Sequence, residues 1–162
     1  MAIFKAEQQF QRDSFALALE NPGGGYEGFL DIIDNYNGTK TANIAKLYAG
    51  ISYMNVGRYD DAINYLETYK PAGTYGPILK FGNMADAYSE LQDFDNAISF
   101  YKKATTASED ALMTPYYLYK LGMLSRRLGD NETAQKAFSR IKKEYPKSEE
   151  GTKVSRILAT VE

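Results

Sequence analysis

Histidine, cysteine and tryptophan are absent from the 162 residues. Without histidine and cysteine the chain has no imidazole base, no thiolate nucleophile and neither of the two commonest transition-metal side-chain ligands. Most hydrolytic and redox chemistry is thereby excluded. No cysteine also means no disulfide framework, so a cytosolic and a periplasmic home both stay open on this ground. Long apolar runs are missing too. Nothing approaches the roughly 18–20 residues that span a bilayer, and the N-terminus lacks the basic-then-apolar layout of a signal peptide. Positive charge is not in excess: the net charge is −2, which argues against a protein that lives on nucleic acid phosphates or anionic lipid.

What is present is a composition suited to folding, 44% apolar and 25% charged, in a length that fits one ordinary domain. The charge is unevenly spread. Residues 120–162 hold ten Lys/Arg against six Asp/Glu, while residues 1–119 hold nine against fifteen. The start, Met1-Ala2-Ile3-Phe4-Lys5, runs into a helical pattern without a cap, as in a segment of a longer protein; a natural start at Met1 is the alternative.

The chain repeats itself. The segments Gly57-Arg58-Tyr59-Asp60-Asp61-Ala62, Gln92-Asp93-Phe94-Asp95-Asn96-Ala97 and Gly129-Asp130-Asn131-Glu132-Thr133-Ala134 align, with alanines 35 and 37 residues apart. That period belongs to a helix–turn–helix unit. Before each segment a small residue precedes a larger or polar one by one turn: Gly50 with Tyr53, Ala85 with Tyr88, Gly122 with Ser125. After each alanine, Leu66, Tyr101 and Phe138 fall at i+4, and Tyr69, Ala104 and Ile141 at i+7, which is one buried helical face. Gly57 and Gly129 can take the positive φ that ends a helix, and Asp60, Asp93 and Asn131 are candidate caps for the next.

These residues resemble the tetratricopeptide repeat (TPR): small-x-x-Tyr, then Gly-x-Tyr/Phe-x-x-Ala, then an aromatic residue and a proline. Tyr69, Lys46 and Ser125 depart from the family's preferences and weaken single repeats. The resemblance implies an all-α fold, an α-solenoid of antiparallel helix pairs of about nine helices with essentially no strand. We place one TPR domain over 1–162, with repeats at 43–76, 78–111 and 115–146. Residues 4–20 show a helical pattern, and after Asn21-Pro22-Gly23-Gly24-Gly25 the run Phe29, Ile32, Ile33, Tyr36 is similar to Phe138, Ile141, Tyr145; together they read as a divergent N-terminal hairpin within 1–40. Ser148 is placed to cap a last helix, 147–162, whose Val154, Ile157, Leu158 and Val161 would cover the final repeat. The linkers Tyr36-Asn37-Gly38-Thr39 and Tyr145-Pro146-Lys147-Ser148 resemble those of envelope-associated bacterial TPR proteins, including types ancillary to the Sec translocon and the Tol–Pal system. That finer resemblance implies a periplasmic, membrane-tethered parent protein rather than a cytoplasmic one.

Conventional catalytic motifs are not found. Gly23-Gly24-Gly25 lacks the following Lys-Ser/Thr that grips phosphate and reads as a flexible connection. Glu27, Asp31 and Asp34, at i, i+4 and i+7, form an acidic stripe that reads as a solvated face. We expect no enzyme, no metal site and no cofactor.

In a stacked array the first helix of each pair lines a concave groove. The expected partner-binding residues are Leu47, Ile51 and Met54 in the first repeat, Leu79, Asp86 and Glu90 in the second, and Tyr116, Tyr119, Met123, Arg126 and Arg127 in the third. Burial against the N-terminal hairpin is the competing reading for Leu47 and Ile51. These two stand where some TPR modules place donors for a C-terminal carboxylate, and neither can donate. The function expected is therefore a scaffold that binds a protein or peptide of unknown identity, with Tyr116 and Tyr119 as anchors and Arg126 and Arg127 orienting acidic groups. The alternative is self-association as a homodimer.

Overall fold

A computed structural model describes residues 3–159, with side chains through Ile157. Among the described residues there are ten α-helices and no β-strand, as the resemblance implies. No helix among them is long and apolar enough to cross a membrane. The chain divides into two compact units, Met1–Pro71 and Ala72–Glu162.

The first unit holds α1 (Phe4–Phe10), α2 (Phe15–Glu20), α3 (Phe29–Asn35), α4 (Lys40–Asn55) and α5 (Tyr59–Thr68). The continuous helical pattern expected over 4–20 is broken, which is why ten helices appear rather than nine. Asp13 takes φ +57°, a left-handed conformation that aspartate tolerates better than most residues. The Ser14 N–H then donates back to the Gln9 carbonyl at 2.9 Å, closing the end of α1. Pro22 and three left-handed glycines, Gly23 to Gly25, stop α2, because proline has no N–H to continue the ladder. The chain returns at Gly28, where a side chain would run into the Leu19 carbonyl. Glu27 therefore lies ahead of α3, outside the acidic stripe, and accepts a hydrogen bond from the Asn35 amide.

Phe10 organises this unit's core. Its ring meets Phe15, Phe29 and Tyr48 edge-on at centroid distances of 5.3, 6.2 and 4.9 Å, and Phe29 stacks on Tyr48. Ala6, Ala18, Phe29, Ile32, Ala45 and Ala62 are buried around it. Gly50 lets α5 close on α4: a β-carbon there would lie 2.6 Å from the Leu66 side chain. Thr39 caps α4 by accepting from the Ala42 N–H.

The second unit holds α6 (Gly76–Glu90), α7 (Phe94–Ala107), α8 (Met113–Arg127), α9 (Asn131–Glu144) and α10 (Glu149–Ala159). The i, i+4, i+7 pattern is buried as expected, through Ala97, Tyr101 and Ala104 on α7 and Ala134, Phe138 and Ile141 on α9. Gly122 plays the part of Gly50, with Phe138 filling the space a β-carbon would need. The turn positions carry φ +61° at Gln92 and +83° at Gly129. Asp93 caps α7, but the cap of α9 is Asp130 rather than Asn131, and the N-cap position of α5 is Arg58, with Asp60 and Asp61 merely in its first turn. Hydrogen bonds from Thr133 hold the Asp130 carboxyl below its ordinary range. Ser148 caps α10 by accepting from the Gly151 N–H at 3.0 Å, and Val154 is buried in the core. Leu158 and Val161 fall outside the described side chains.

Candidate functional site

Helix α8 turns one side into the core through Tyr117, Leu118, Leu121 and Leu124. The residues between them must face elsewhere, because a 3.6-residue period cannot bury all of them on one neighbour. Tyr116 and Met123 are exposed to 43% and 39%, and Arg126 and Arg127 are exposed as well. Tyr116 leans edge-on against the buried ring of Tyr117 at 5.0 Å. Arg127 is not a free cation, since its guanidinium lies 5.0 Å over the Phe94 ring. Tyr119 is half-buried, tilted against Phe138, with the Lys153 ammonium 5.6 Å from its ring; it packs between α8, α9 and α10.

Asp86 joins α6 to this helix. Its carboxylate accepts from the Tyr101 hydroxyl at 2.6 Å and from the Lys120 ammonium at 2.8 Å on both oxygens. The ammonium also sits 4.7 Å from the Tyr116 ring. Burial, followed by the Asp86 charge, pushes the Tyr101 hydroxyl far above its ordinary pKa, and burial does the same to Tyr117. Burial alone would lower the Lys120 ammonium, but Asp86 overrides it and holds the pKa up. Through these bonds Asp86, Tyr101 and Lys120 clamp α6, α7 and α8 together. Leu79 is half-buried on α6 and Glu90 is exposed at its end.

The residues named in the first repeat belong to the other unit. Leu47 is buried, Ile51 is half-buried, and Met54 packs against that unit's core. Sequence reasoning missed Lys120, although it stands four residues after Tyr116 and so on the same face, and it placed Tyr101 on a buried face without its bond to Asp86. Reasoning from helical faces also missed a cavity of about 720 Å3 where the start of α8 meets the α9–α10 connection. Leu112, Met113, Tyr116, Tyr117, Tyr145 and Pro146 give it apolar walls, and Glu144, Glu149 and Glu150 carry carboxylates to it. Its available signal was Leu112, a large apolar residue just outside a helix and 80% exposed. Among the described residues no group of three or more metal-ligating side chains comes together.

Residues 81–110 and 116–148 each match a model of the tetratricopeptide repeat. The second unit therefore carries two tetratricopeptide repeats, α6–α7 and α8–α9, and α10 covers the end of the second. A comparison with curated proteins found no match. Tetratricopeptide repeats generally mediate protein–protein interaction, and proteins built from them are typically non-enzymatic scaffolds.

Proposed function

We infer that the chain is a protein–protein interaction scaffold that binds a polypeptide segment along the exposed side of α8. The observation that carries this reading is the row Tyr116, Met123 and Arg126, large side chains on one helical face that the core does not use. An aromatic ring, a flexible thioether and a guanidinium on one exposed strip are residue types that binding surfaces favour. Tyr116 is the better anchor than Tyr119, because Tyr116 is exposed whereas Tyr119 is half-buried against Phe138.

The test is selection of peptides from a displayed random library on the full chain, followed by affinity measurement with Tyr116→Ala and Met123→Asp. Each change should weaken binding by about tenfold or more, the scale of a hot-spot loss, and leave the unfolding midpoint unchanged. Undiminished binding by both variants would place the interaction elsewhere. Self-association is the second reading, favoured by the 80% exposure of Leu112 beside the same strip; mass in solution at several concentrations decides it, a constant monomer ruling it out. An envelope-tethered bacterial parent rests on the linkers at 36–39 and 145–148, and coding sequence upstream of Met1 tests it by the presence of an apolar span of about 20 residues.

A further inference from the structure

The linker Tyr36-Asn37-Gly38-Thr39 joins α3 to α4 and is pinned at its two ends. The Tyr36 carbonyl accepts from the Thr39 N–H at 3.1 Å and from the Thr39 hydroxyl at 2.7 Å. Asn37 and Gly38 form the tip between those ends, both exposed, with Gly38 at φ +83°. Neither the Asn37 side-chain amide nor the Gly38 N–H has a hydrogen-bond partner among the described residues. A β-carbon at Gly38 would meet no atom within 4 Å, so the space beside it is open.

The other eight asparagines are placed differently. Seven lie within helices, where fixed backbone dihedrals keep the side-chain amide away from the next nitrogen in the chain. Each of the seven is also followed by a residue that carries a side chain. The eighth, Asn21, precedes Pro22, which has no N–H. Asn37 alone is an asparagine outside a helix whose next residue offers an N–H and no side chain to crowd it.

We propose that Asn37 is a self-modifying site, which the folded chain converts to aspartate and isoaspartate without an enzyme. The Gly38 nitrogen attacks the side-chain carbonyl carbon of Asn37 and passes its proton to the departing nitrogen. One C–N bond forms, another breaks, and ammonia leaves behind an imide ring. Water then opens the ring, at the side-chain carbonyl to give aspartate or at the main-chain carbonyl to give isoaspartate. One water is consumed for each ammonia released, and nothing is oxidised or reduced. The outcome is a carboxylate in place of a neutral amide at the entry to α4. Lys40, Lys46 and Lys70 line a depression of about 300 Å3 together with Asn37, and no carboxylate lines it. These ammonium groups and the N-terminus of α4, whose first turn holds no acidic residue, favour the new negative charge. The inference is independent of the scaffold reading.

The test is to age the full chain in water enriched in heavy oxygen and to map its peptides by mass spectrometry. The segment carrying residue 37 should lose ammonia and gain labelled oxygen before any other asparagine does. Its rate should lie within about threefold of that of the peptide acetyl-Tyr-Asn-Gly-Thr-Lys-amide, and an isoaspartate-specific methyltransferase should label it. Gly38→Ala should slow the conversion by about tenfold, because a methyl group crowds the attacking nitrogen. Asn37→Gln should abolish it over the same period, since glutamine would have to close a larger ring. A residue 37 that keeps its amide while the peptide converts, earlier conversion at another asparagine, or an undiminished rate in Gly38→Ala overturns the proposal. Asn37→Asp, one of the two products, should unfold no earlier than the parent; an earlier midpoint would overturn the placing of the new charge among the ammonium groups.

Discussion

In the second unit, the amides of Asp93 and Asp130 reach back to the carbonyls of Tyr88 and Ser125 at 2.9 Å, across Gln92 and Gly129 in left-handed conformation. At the start of the first unit Ser14 reaches back to Gln9 at the same distance, across left-handed Asp13. Ala6 and Ala18 flank that turn at the offsets that Ala85 and Ala97, or Gly122 and Ala134, keep from theirs, and all of these are buried. The two regions then part. Four residues lead from Ala97 to Tyr101, whereas eleven lead from Ala18 to Phe29, because seven extra residues interrupt the second helix and leave it as α2 and α3. Downstream of the interruption the likeness resumes. Thr39 donates to the Tyr36 carbonyl and caps α4, as Ser148 donates to the Tyr145 carbonyl and caps α10. The tetratricopeptide-repeat matches cover only the second unit. The N-terminal helices thus share backbone turns and caps with the matched repeats without sharing their spacing.

The strongest attack on this comparison is overpacking. Ala6→Leu and Ala97→Leu should each lower stability to urea by about 1–3 kcal/mol, since both would force helices apart where no space exists. An Ala6→Leu variant that unfolds with the parent would show that α1 and α2 do not pack as a repeat does. A smaller effect comes from the caps. Thr39→Ala and Ser148→Ala should each cost about 1 kcal/mol in the same assay, and a loss at one site alone would break the parallel between the two linkers. The smallest change sharpens the turns. Gln92→Gly should raise stability by roughly 0.5–1 kcal/mol, and Gly129→Gln should lower it by a similar amount, because only glycine occupies that conformation without side-chain strain. Unchanged midpoints for both would mean that the turn residues are not under the constraint their φ values imply.

The repeats were legible where side-chain pattern carries the information. Gly50 and Gly122, the alanines 62, 97 and 134, and the buried positions beyond them follow from spacing alone, because a helix of fixed period can bury only one face. The break after Phe10 was not legible. A left-handed Asp13 lies in an apolar run, Phe10, Phe15, Leu17 and Leu19, that contains no glycine or proline to mark a break, and aspartate is not an obligatory turn residue as glycine nearly is. Caps shifted by a residue, as from Asn131 to Asp130, because both types can cap and only the backbone decides. The candidate strip on α8 could be drawn from periodicity, but the engagement of Tyr119, Arg127 and Asp86 depends on neighbours from α7, α9 and α10, and the cavity depends on a connection that no helical pattern describes.

The bond between Lys120 and Asp86 has a consequence for how interchangeable these repeats are. One helical turn is about 5.4 Å, so a hairpin that docked one turn too far along α6 would pull the ammonium out of reach and strand a carboxylate that also holds the Tyr101 hydroxyl. The pair would thus favour the native alignment of α6 and α8 over a slipped one. A chimera that replaces α8 and α9 with a foreign hairpin of equal length and apolar pattern must also bring a cation to the place of Lys120. Modularity in this chain ends at that residue.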